Sequence, residues 1–170
     1  MILLLAALAL GAPPPLECPA GAERRGGAPP EEHAEWCEGK DPAGRPRREG
    51  PAREYYDDGG LRIEETYREG WRDGPFVERH RNGRKAREGT FARGEKVGLW
   101  TVWFESGSVE EEAEWRDGVR HGSFAAWWPG GKRRTQGRHC GGAQCGTWRS
   151  FDAQGREIGS VEYGEHRLAP

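Results

Sequence analysis

Aliphatic residues are scarce in this chain, and that scarcity constrains the fold before anything else does. Beyond the first sixteen positions very few Leu, Ile or Val remain. A thick aliphatic core is excluded. Eight Trp, five Phe and four Tyr must supply the apolar burial. Large aromatics bury about 150–250 Å² each, which suffices for a thin core. Long apolar runs are missing too. The longest, Met1 to Leu10, falls well short of the roughly 20 residues a membrane helix needs. Catalytic signatures are also absent. There is no Gly-x-Ser-x-Gly, no His-Glu-x-x-His and no phosphate loop in a suitable context. Carboxylates are plentiful, so a glycosidase pair is not excluded by inventory. The reading is nevertheless of a protein that is not an enzyme and needs no cofactor or metal. A net charge of -2 gives no general attraction to nucleic acid.

Charged residues make up 32% of the 170 and hydrophobic ones 34%, a balance that alone would suggest disorder. Periodicity argues otherwise. Gly50, Gly74, Gly98, Gly122 and Gly146 stand 24 residues apart. Gly59, Gly83, Gly107, Gly131 and Gly155 form a second column, and Gly70, Gly94, Gly118 and Gly142 a third. A fixed period without gaps is the mark of a repeat architecture. The units run 50–73, 74–97, 98–121 and 122–145, with an incomplete fifth at 146–164. Their third positions are Ala52, Phe76, Trp100, Phe124 and Trp148; their sixth are Tyr55, Arg79, Trp103, Trp127 and Phe151. The eighteenth are Tyr67, Phe91, Trp115, His139 and Tyr163. Between the aromatic segments lie turns such as Arg81-Asn82-Gly83, where Gly accepts positive φ and Asn tolerates it. Each unit therefore reads as one β-hairpin. A helix would lose ~1 kcal/mol at each interior glycine. The third and sixth positions differ in parity. Either a bulge brings them to one face, or both faces of the sheet carry aromatics.

Residues 1–12 resemble the apolar part of a secretory signal, although no basic residue precedes Ile2. Residues 13–49 are rich in Pro, Gly and charge and read as an irregular cap, with a short strand at Glu35 to Glu38 and a degenerate half-repeat. Residues 165–170 are a tail. The four cysteines fit an exported chain with disulfides. Three pairings exist; Cys18–Cys37 and Cys140–Cys145 each close a local loop. Zinc is the competing use, and the spacing lacks paired C-x-x-C.

Gly98-Leu-Trp-Thr-Val-Trp-Phe-Glu-Ser-Gly107 and Trp115-Arg-Asp-Gly118-Val-Arg-His-Gly122 carry a family resemblance. The pattern resembles MORN repeats, in particular the bacterial variant, whose members include proteins labelled as antitoxins. The resemblance covers residues 50–164. It implies an all-β fold, an elongated ribbon of consecutive antiparallel hairpins about five units long, acting as a scaffold. Some such proteins have been linked to anionic lipids.

Charge is distributed unevenly along the ribbon. From Gly118 to Phe151 there is no Asp or Glu, while Arg120, Lys132, Arg133, Arg134, Arg138 and Arg149 alternate with Phe124, Trp127, Trp128 and Trp148. Unit three is acidic, with Glu105, Glu110, Glu111, Glu112, Glu114 and Asp117. Trp103, Arg120, Trp127, Trp128, Arg133, Arg134, Arg138 and Trp148 are the candidate binding residues, because Trp and Arg are favoured at binding surfaces. In the alternative, Glu114, Arg138 and Glu162 share a repeat column and neighbouring hairpins neutralise one another. The expected function is that of an exported, non-catalytic module for a protein partner. An antitoxin-like or immunity role and attachment to anionic lipid or glycan through residues 120–149 are the alternatives. Open sheet edges also allow a homodimer.

Overall fold

The computed structural model describes residues 14–164. The expected signal at 1–12 and tail at 165–170 lie outside the described residues. Twelve strands form one antiparallel sheet whose spatial order is the order of the chain. They are β1 (Glu23–Gly27), β2 (Ala34–Lys40), β3 (Pro46–Tyr55), β4 (Leu61–Arg68), β5 (Trp71–Arg79) and β6 (Lys85–Ala92). Then follow β7 (Glu95–Trp103), β8 (Val109–Arg116), β9 (Val119–Trp127), β10 (Arg133–Cys140), β11 (Ala143–Phe151) and β12 (Glu157–Tyr163). Eleven strand spacings of ~4.8 Å make the ribbon about 53 Å long. No helix among the described residues is long and apolar enough to cross a membrane.

Two turn types alternate along the ribbon. On one side are five-residue turns beginning at Tyr56, His80, Phe104, Trp128 and Asp152. In each the amide of the fourth residue, a second-column glycine such as Gly83, donates back to the first carbonyl. On the other side two-residue turns join the hairpins. Arg93 and Gly94 have φ of 48° and 88°, and Asp117 and Gly118 have 49° and 75°. Positive φ at both central residues is the turn whose twist matches the strands, which explains the third glycine column. These glycines also tie unit to unit. The Gly70, Gly94, Gly118 and Gly142 amides donate to the carbonyls of Arg48, Arg72, Lys96 and Arg120 in the preceding hairpin.

The region 13–49 is more regular than its composition suggests, because it adds β1 and β2 to the ten strands of the five hairpins. The turn Asp41 to Arg45 has the same hydrogen bonds as Asp152 to Arg156. In both, the aspartate carboxylate accepts the amides two and four residues on and the arginine Nε. Both disulfides have the local pairing. Cys18–Cys37 ties the leading segment to β2, and Cys140–Cys145 spans the turn between β10 and β11.

The two alternatives for the aromatic columns are also separated. The register shifts between Val102 and Trp103, but the extra residue, Glu110, is on β8, so unbroken alternation along β7 sends Trp100 and Trp103 to opposite faces. The core lies on one face, in two clusters. Ile63, Phe76, Phe91 and Trp100 form the first; Ala113, Phe124, Ala126 and Trp148 form the second; Trp115 packs against both. The clusters repeat each other 48 residues apart. Phe76, Phe91 and Trp100 have ring centroids 4.9 to 5.5 Å apart, and Phe124, His139 and Trp148 have them 5.0 to 5.4 Å apart with nearly the same tilts. His139 thus replaces Phe91 as an aromatic of the core.

Candidate functional site

The core face carries a column of cations, Arg48, Arg72, Lys96 and Arg120, each two residues before a first-column glycine. Each stacks on the rings. Arg48 lies 5.0 Å from the Tyr67 ring, Arg72 5.4 Å from Phe91, Lys96 4.2 Å from Trp100 and Arg120 5.1 Å from Phe124. Three are also ion-paired. Arg72 Nε is 2.7 Å from Glu65 Oε2, Arg48 is 3.8 Å from the same carboxylate, and Arg120 is 2.5 Å from Glu111. Burial pulls the Lys96 ammonium below its ordinary pKa, with Arg87 pushing the same way. This column holds the core face together. The 24-residue period could have disclosed Arg48, Arg72 and Lys96, but the signal lies outside the aromatic and glycine columns.

The opposite face gathers different members of the candidate set. In the depression of about 560 Å³ between β9, β10 and β11 stand Arg133, Arg138 and Arg149, with Ser123, Gln136 and Thr147 between them. The Arg133 guanidinium lies 4.7 Å from the centre of the Trp127 ring. Arg134 lies 5.7 Å from the ring of Trp128, whose Nε1 donates to the Phe151 carbonyl at 3.1 Å. Trp103 is on this face one hairpin back, with Lys85 Nζ 5.8 Å from its ring. Arg120 and Trp148 are separated from these residues by the sheet. Trp148 is buried in the core and its Nε1 donates to the Arg138 carbonyl at 3.0 Å.

Charge neutralisation between hairpins accounts for Arg120, which pairs with Glu111, but not for the other basic side chains. Among the described residues Lys132, Arg133, Arg134, Arg138 and Arg149 form no ion pair within 4.0 Å. The acids of the Arg138 column have other partners. Glu114 accepts the Ser123 amide at 2.5 Å, and Glu162 accepts the Thr147 hydroxyl at 2.6 Å. The Ser123 amide holds the Glu114 carboxyl below the usual range, and the more distant Arg138 charge adds to this. Glu112 and the exposed Leu99 close the depression on the β7–β8 side. Among the described residues no group of His, Cys, Asp and Glu is arranged to hold a metal ion. All four cysteines are in disulfides. The basic face can therefore offer charge, amide and hydroxyl donors, and flat aromatic surface to an anionic group.

The family model of the MORN repeat variant matches the chain at residues 48–69 and 96–117. The two matches begin at Arg48 and Lys96, two members of the stacked cation column, and lie 48 residues apart like the two core clusters. MORN repeats are generally binding or scaffold modules. No curated protein matches the chain.

Proposed function

We propose that the chain is a non-catalytic, exported scaffold that holds a protein partner on its basic face across β9 to β11. The observation that carries this reading is the set of arginines there that lack ion pairs among the described residues, two of them laid over Trp127 and Trp128. Unpaired guanidinium groups beside flat aromatics are suited to an acidic protein surface. The open single-layer sheet supports binding over catalysis, because its depressions are broad and open to solvent and would shift few pKa values. Export is supported by two disulfides, which persist in oxidising compartments. The expected signal sequence would place the protein in the periplasm, on the outer envelope or outside the cell.

The test is affinity capture from the native envelope with the wild-type chain and a Trp127→Ala, Arg134→Ala double variant. The expected result is one partner set enriched by wild type and lost by the variant. Equal recovery by both proteins sinks this assignment of the surface.

A further inference from the structure

A second depression on the same face already contains a piece of the chain. It lies between β3, β4 and β5, with about 290 Å³ of free volume, and its walls are Pro51, Arg53, Glu64, Thr66, Pro75 and Val77. The segment before β1 crosses it. Leu16 is buried there, and the Arg53 guanidinium donates to the Pro14 carbonyl at 2.5 Å. Cys18–Cys37 anchors the end of this strap.

Adding 72 to each wall residue, three whole units, gives Ser123, Ala125, Gln136, Arg138, Thr147 and Arg149, the walls of the larger depression. The two grooves are the same structural position in different repeats. The first holds an extended, proline-rich segment with one leucine inserted. The second is larger and has no strap of its own chain among the described residues. Its charge has become more positive, and the cations stand at different wall positions. Thr66 becomes Arg138, Val77 becomes Arg149, Arg53 becomes Ala125 and Glu64 becomes Gln136, so the cations rise from one to two and a carboxylate is lost. Leu99 supplies an exposed apolar wall where an inserted side chain could rest.

We infer that the groove between β9 and β11 binds an extended acidic peptide segment along the path that residues 14–16 take across the first groove, with Arg138 and Arg149 as its cationic contacts in place of Arg53. This rests on the scaffold reading above and names the part of the partner that is gripped. A leucine-sized side chain enters beside Leu99, and carboxylates following it meet Arg138 and Arg149. The strap itself cannot supply this segment, because its disulfide holds it at the other end of the ribbon.

The probe is a dye-labelled hexapeptide with two prolines, a leucine and three following carboxylates, titrated into the oxidised full chain at low salt. Saturable binding is expected. It should weaken at least tenfold in an Arg138→Thr, Arg149→Val variant, which carries the first groove's own residues and so keeps a side-chain set already compatible with the fold. Replacing the three carboxylates by lysines should abolish binding. Absence of peptide binding to wild type, or equal binding by the variant, overturns the inference. Vesicles of phosphatidylglycerol serve as the comparison. Binding to them that is lost in the variant, without peptide binding, overturns it in favour of a lipid surface. If capture of the partner depends on Trp127 and Arg134 while the peptide fails, the scaffold reading stands and the groove assignment falls. If capture shows no such dependence, the surface assignment fails by itself, whatever the peptide does.

Discussion

Gly137 lies directly beneath the Trp148 ring: a Cβ at position 137 would fall 2.3 Å from Trp148 Cδ2. Gly89 stands in the same relation to Trp100, at 2.2 Å. Where the ring is the smaller Phe124, the column carries Ala113, and opposite Phe76 it carries Glu65. Toward the following strand, the column thus carries glycine under a Trp ring and a larger residue opposite Phe; on its other side Ala113 pairs with Trp100. Gly137→Ala should cost roughly 2–3 kcal/mol, as overpacking does. In a Trp148→Phe background the same change should cost less than about 1 kcal/mol, because that pairing is the one at Ala113 and Phe124. Urea unfolding of the four proteins measures the difference.

His139 provides a pH dependence of known sign. Burial holds its imidazole below the ordinary value of 6.5, and the Arg120 charge adds to the effect. Its Nδ1 is buried without a hydrogen-bond partner among the described residues. The unfolded chain takes up this proton first as pH falls. His139 therefore leaves stability intact above about pH 6.5 and removes it progressively below, down to the depressed folded value. His139→Phe restores the ring found at Phe91. It should abolish this part of the acid slope and raise stability at neutral pH by about 1–2 kcal/mol, since an orphaned buried nitrogen is removed. Thermal melts between pH 5 and 8 test both statements.

The two disulfides should differ in worth. Cys18–Cys37 spans 19 positions and Cys140–Cys145 spans 5. Loop-closure entropy assigns about 3 kcal/mol to the longer loop and about 2 kcal/mol to the shorter. Replacing Cys18 and Cys37 by serine should therefore lower stability more than replacing Cys140 and Cys145. It should also raise proteolysis at residues 14–22. Paired denaturation curves and a limited digest would show whether the order is reversed.

Arg93 has φ of 48°, a left-handed backbone that costs a residue with a Cβ energy. Gly141 occupies the equivalent place in the last two-residue turn. Arg93→Gly should stabilise the chain by about 0.5–1 kcal/mol. Its amide remains free to donate to Asp73 Oδ2, as it does at 3.2 Å now. A lower urea midpoint would contradict this account of the turn.

Repeat length, hairpins and disulfide partners were legible because each depends on spacing along the chain. The glycine columns mark turns, and turns recur with the period. The grooves were not legible. Arg138 and Trp148 belong to one stretch of sequence without Asp or Glu but lie on opposite faces, as the register of β10 against β11 shows. The basic stretch therefore read as one surface when it is two. The cation column of Arg48, Arg72 and Lys96 was hidden for a different reason. Arginine and lysine are scattered through every unit, and stacking on a ring leaves no mark in composition. Asp41 to Arg45 did carry a readable signal, since Asp-x-x-Gly-Arg recurs at Asp152 to Arg156.

The hydrogen bonds that tie one repeat to its neighbour reach at most about one unit along the chain. The amide of Gly94 reaches Arg72 and that of Gly118 reaches Lys96, while the Tyr56 hydroxyl reaches forward to the Arg79 carbonyl. No unit therefore depends on the identity of a distant one. Duplicating 24 residues would lengthen the ribbon and add one groove without altering the walls of those already present. In such a protein recognition can be rewritten one unit at a time, with the fold's integrity carried by neighbours alone. The strap-filled groove at one end and the arginine-lined groove three units away are what that freedom can produce from a single repeated position.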